Sequence, residues 1–127
     1  MIANDVAQFL LNNAPITAVT TEIRPLKLSD GHDSPAIVYM QGSDDAERTM
    51  DSISSLHRAA FYIDCYAYSY SEARTLAALV RSELESYSGV FGSVTAEQID
   101  FDGDYDLFED DTRLFRAALS FTLWYSN

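Results

Sequence analysis

The sequence predicts an α+β fold: an antiparallel or mixed sheet of about four to five strands packed on one long helix, with a short helix ahead of it. Three observations predict it. Between His57 and Tyr87 an alternating aromatic strand runs into a helix-start signal and an amphipathic helix with almost no linker. From Arg113 to Tyr125, apolar and polar residues alternate with the two-residue period of a half-buried strand. A chain of 127 residues with 47% apolar residues has enough material for one core, so residues 1–127 read as a single domain.

Asn4 can cap a first helix over about residues 5 to 13, with Val6, Phe9 and Leu10 on one face, and Pro15 is read as its stop. Thr20 to Leu28 reads as a strand whose Pro25 marks an edge or a bend. Ser29 to Pro35 is dense in turn formers, and a compact strand follows through Met40. Gly42 to Ser55 is polar and acidic without a sustained apolar period, so a mobile loop is expected there.

The central strand points Ala59, Phe61, Ile63, Cys65 and Ala67 one way and Tyr62, Asp64, Tyr66 and Tyr68 the other. Three tyrosines on an outward row have apolar faces and polar tips, the composition enriched at protein interfaces; a cross-strand tyrosine ladder is the simpler alternative. Ser69-Tyr-Ser-Glu72 matches a capping box. Ala73, Leu76, Ala77, Val80, Leu84 and Tyr87 then form a core-facing stripe opposed by Arg74, Arg81, Ser82 and Glu85. Gly89 suits a left-handed exit from the helix. Ser93 to Phe101 reads as a strand, and Asp100 to Asp111 as a solvated acidic hairpin loop. The terminal strand sets Phe115, Ala117, Leu119, Phe121, Leu123 and Tyr125 against Arg116, Ser120, Thr122 and Trp124.

The formal charge of −12 argues against a surface that grips nucleic acid through its phosphates. No stretch is long and apolar enough for a membrane span, and no signal peptide is evident, so a soluble, unsecreted chain is expected. Cys65 is the only cysteine, which excludes an internal disulfide and reads as a buried thiol. His32 and His57 have no partner at zinc-ligand spacing. The Asp100–Asp111 run invites a calcium reading, but an EF-hand needs glycine at its sixth position and glutamate at its twelfth, and Tyr105 and Asp111 stand there. Neither a glycine-rich phosphate loop nor a nucleophile elbow is present. No enzyme activity, cofactor or metal is therefore expected.

Taken together, the segments LLNNAPITAV, PAIVYMQ, FYIDCYAYSYSEARTLAALVRSEL and RAALSFTLWY resemble the tail-completion, or tail-to-head joining, proteins of long-tailed bacteriophages. The family's aromatic strand opening a long helix corresponds to Ile63 through Tyr66, then Tyr70, Glu72 and Ala73. Its "F-x-V-W-Y"-like ending corresponds to Phe121-Thr-Leu-Trp-Tyr125. Cys65 and the charged run after Asp100 depart from the pattern. The resemblance implies a structural virion protein of the tail or neck, assembled in the host cytoplasm. It implies a homo-oligomeric ring, on the family's pattern of six copies, that ends the tail tube and joins it to the head connector. Tail-tube and head-connector proteins would be its partners, and DNA would pass an acidic channel without specific binding. Within that reading Tyr62, Tyr66, Tyr68 and Trp124 are the candidate subunit interface, and Asp44, Asp45, Glu47, Asp51, Asp104 and Asp106 the tube-contacting or channel-lining acids. The alternative is a small acidic binding module, calcium-responsive through Asp100–Asp111.

Overall fold

The chain is described by a computed structural model over residues 2–28, 34–47 and 56–126, without the side chains of residues 45–47. In order it forms α1 (Ile2–Asn12), α2 (Ala14–Thr17), β1 (Ile23–Pro25), β2 (Ala36–Glu47), β3 (Leu56–Ala67), α3 (Tyr70–Glu85), β4 (Gly89–Phe91), β5 (Val94–Glu109) and β6 (Leu114–Ser126). The strands make one mixed sheet in the order β1-β2-β3-β6-β5-β4. Only β1 and β2 run parallel; the other neighbours are antiparallel.

This corrects the expected fold of four to five strands on one long helix. Among the described residues the sheet has six strands and is curled into a half-barrel, and only 28% of those residues are helical. Two strands, β1 and β4, are three residues each, too short to show a period in sequence. The long strands bend instead of lying flat, with register shifts between Gln41 and Asp44, Ala96 and Gln98, and Phe101 and Gly103. Such bulges add local twist, and over strands of this length twist accumulates into a curl.

The inner face is filled by α1 and α2 together with α3 rather than by α3 alone. Ile2, Val6 and Leu10 of α1, Ile16 of α2 and Leu76, Val80 and Leu84 of α3 join Phe61, Ile63, Phe121 and Leu123 in one core. Phe61 stacks on Phe121 at 5.2 Å between ring centres, and Phe9 stacks on Phe91 at 5.3 Å, which ties α1 to the short β4.

Asn4 lies inside α1, and the cap belongs to Asn13, whose Oδ1 accepts from the Ile16 N–H at 3.1 Å to start α2. Pro15 therefore opens a helix, since its fixed φ and missing N–H suit the first turn. Residues 42–47, expected in a loop, continue β2, and Asp44 to Glu47 pair with Ala59 to Leu56; residues 48–55 lie outside the described chain. At α3 the Ser69 hydroxyl accepts from the Glu72 N–H at 3.1 Å.

Candidate assembly surface

Strand alternation sends Tyr62, Asp64 and Tyr66 to the outer face of β3, but their surroundings differ. Tyr66 is 8% exposed, packed with Val38 and Leu114. Its hydroxyl lies 3.5 Å from Glu109 Oε1, and the Arg116 guanidinium stands 6.0 Å from its ring centre. Arg116 also approaches Asp64 at 3.2 Å and Glu109 at 3.5 Å, so one guanidinium, two carboxylates and a phenol cluster over the outer face. Burial pushes the Tyr66 phenol up to about 12 and raises the Asp64 carboxyl, against the pull of Arg116. The expected outward row thus loses its middle member to the chain's own packing.

Tyr62 and Tyr68 remain exposed. Tyr62 lies across Gly42 on β2: a Cβ there would stand 2.9 Å from its Cε2. Trp124 is half-buried; its indole N–H donates to Asp100 at 3.1 Å and Arg58 covers its ring at 5.7 Å. The four predicted interface residues are therefore not one continuous patch.

The predicted acids separate in the same way. Asp104 and Asp106 are strand residues of β5, not loop residues, and both turn toward α3. Arg74 donates to Asp104 at 2.7 Å and to Asp106 at 3.0 Å, and the Tyr70 hydroxyl donates to Asp106 at 2.8 Å. Asp100 and Asp102 turn the other way, accepting from Trp124 and from the Thr122 hydroxyl. Charges divided between two faces do not converge on a cation, and among the described residues no three His, Cys, Asp or Glu side chains are grouped for one. Asp44 accepts from the Tyr125 hydroxyl at 2.6 Å, whose phenol burial and this bond raise well above its usual range. The backbones of Asp45 and Glu47 sit opposite Arg58 and Leu56; Asp51 lies outside the described residues. Cys65 is fully buried, and burial raises its thiol far from any reactive range.

Sequence reasoning missed the exposed apolar groups at the far end of the β5–β6 hairpin, Tyr105, Leu107 and Phe108. Tyr105 and Leu107 alternate with Asp104 and Asp106, a two-residue period that the acidic composition concealed.

The model of the family "Tail completion protein gp17" matches residues 4–126. The chain belongs to this family. As a tail completion protein it is a structural protein of a phage-type virion tail. Among solved structures it is similar to a chain of the virion of a native gene transfer agent particle, at 18% identity and a TM-score of 0.71, over 96% of this chain and 92% of that one. At that identity the likeness shows the shared fold. No curated protein matches the sequence. No helix among the described residues is long and apolar enough to cross a membrane.

Proposed function

We propose that this tail completion protein acts as a non-enzymatic ring, on the family's pattern of six copies, that ends the tail tube and joins it to the head connector. The observation that carries the reading is the exposed end of the β5–β6 hairpin. Both of its faces present large apolar side chains, Tyr105 and Leu107 on one and Phe108 on the other. A free monomer gains nothing by exposing them; a subunit interface does. Tyr62 and Tyr68 add further exposed aromatic surface.

Asp44, Asp45 and Glu47, at the far end of β2, and Asp51, outside the described residues, are the acids we assign to tube contact or channel lining. Asp104 and Asp106 are already held by Arg74. At −12 per copy, a ring would repel the phosphate backbone of DNA moving through it and keep it from adhering. Native mass measurement of the chain alone and with tail-tube protein tests the reading. A closed oligomer in either sample is expected, and a strict monomer in both would overturn it.

A further inference from the structure

The two edges of the curled sheet are chemically unlike. One ends in β1, and directly after it Leu26 adopts φ 65° and is 73% exposed. Leucine is strained in that left-handed region, and the strain here holds an apolar side chain in water. Exposed Arg24 and Lys27 flank it. Arg24 already shares Glu22 at 3.1 Å, which makes Lys27 the cation with most reach toward a neighbour.

At the opposite edge β4 covers β5 only from Val94 to Ala96. From residue 97 to Glu109 no described strand lies beside β5 on the side away from β6. This open length carries Tyr105, Leu107 and Phe108, which are 55%, 42% and 45% exposed. Asp104 and Asp106 are held by Arg74 and Glu109 by Arg116, so the carboxylates left for a neighbour are the exposed Asp110 and Asp111 in the turn that follows. One edge is thus an apolar residue beside a cation, and the other is apolar residues beside carboxylates.

We infer that copies of this chain join edge to edge, the β5–β6 arm of one seating on the Leu26–Lys27 edge of the next. The inference rests on the ring reading above and names its contact. The occupant is a second copy because both halves of the charge match lie on one chain. Two β5 edges would set carboxylates against carboxylates, so a two-fold pairing of arms is opposed. The contact is instead heterologous: each copy offers one donor edge and one acceptor edge, and such contacts form a ring where the rotation between copies closes.

Complementation tests this directly. Leu26→Asp and Leu107→Asp replace exposed side chains, so each variant should melt as the wild type does. Sedimentation velocity is run on the wild type, on each variant and on their equimolar mixture, at the concentration where the wild type assembles. Each variant alone should be monomeric. The mixture should give a dimer and nothing larger, because the first variant keeps its arm and the second keeps its β1 edge. If either variant alone assembles as the wild type does, or the mixture stays monomeric, the edge contact is wrong while the ring reading stands. If the wild type is monomeric alone and assembles only with tail-tube protein, these edges serve another partner and the inference also fails. A wild type monomeric under both conditions removes the ring reading and the inference together.

Discussion

Asp5 Oδ1 accepts two hydrogen bonds from one residue far along the chain, from the Ser93 backbone N–H at 2.8 Å and from the Ser93 hydroxyl at 2.9 Å. The carboxylate is 2% exposed, so these bonds are made away from water. They fasten the first turn of α1 to the turn that starts β5, and the beginning of the chain becomes part of the sheet's support. Gly92 makes room for it: at φ 62° a Cβ would stand 2.7 Å from the Asp5 Cα.

Gly92→Ala combines a strained backbone with a clash against backbone atoms that cannot rotate away. A loss of about 3 kcal/mol is expected in urea unfolding. Asp5→Ala should cost about 2 kcal/mol, since it leaves the Ser93 donors without an acceptor, and Asp5→Asn should cost less because its Oδ1 still accepts. Equal losses for the two Asp5 variants would show that the bonds to Ser93 contribute nothing.

Arg74 holds Asp104 and Asp106 together from α3, in partly exposed positions that solvent screens. Arg74→Ala should therefore cost only about 1 kcal/mol, and the loss should shrink at high salt. In that background Asp104→Asn should restore part of the stability by removing one of two neighbouring carboxylates. A loss independent of salt would mean that Arg74 acts through packing of its stem.

Arg116→Met should be more costly, about 3 kcal/mol, because it strands Asp64, which is 3% exposed. The double variant Asp64→Asn/Arg116→Met should recover much of the loss. Burial already raises the Asp64 carboxyl above its usual value of 3.8, and without Arg116 it rises further. With a folded-state value above the unfolded one, the contribution of Asp64 is full below the unfolded value and is lost as pH rises through the folded one. The Arg116→Met protein should therefore regain stability relative to the wild type on acidification. A pH-independent difference between the two would refute the role of Asp64.

The elements legible in the sequence are those whose period runs unbroken against one core face. Ala59, Phe61, Ile63 and Cys65 on β3, and Leu119, Phe121 and Leu123 on β6, are buried as their alternation requires. The strand count was not legible, because three residues of β1 or β4 carry no period and depend on β2 and β5 to pair with them. The Asp100–Asp111 run reads as a loop because carboxylates normally seek water; Arg74, a long way from it in sequence, gives two of them a strand position. Tyr66 illustrates the same limit. Alternation fixed its face, but only the fold shows Arg116, Glu109 and Leu114 closing over it.

That closure has a consequence at high pH. Tyr66 is raised from 10.0 to about 12, first by burial, with Arg116 opposing and Glu109 and Asp64 adding to the rise. The folded value exceeds the unfolded one, so the neutral phenol's contribution is complete below pH 10 and is lost as pH rises through about 12. Wild-type stability should fall by about 2 kcal/mol from this group over that window. Tyr66→Phe cannot ionise, and losing a 3.5 Å hydroxyl contact to Glu109 should cost it well under 1 kcal/mol at neutral pH. The two proteins should therefore differ little at pH 8 and cross above pH 10, with the variant then the more stable. Urea unfolding at several pH values measures the difference, and parallel curves across the window would show that Tyr66 ionises in the folded chain as freely as in the unfolded one.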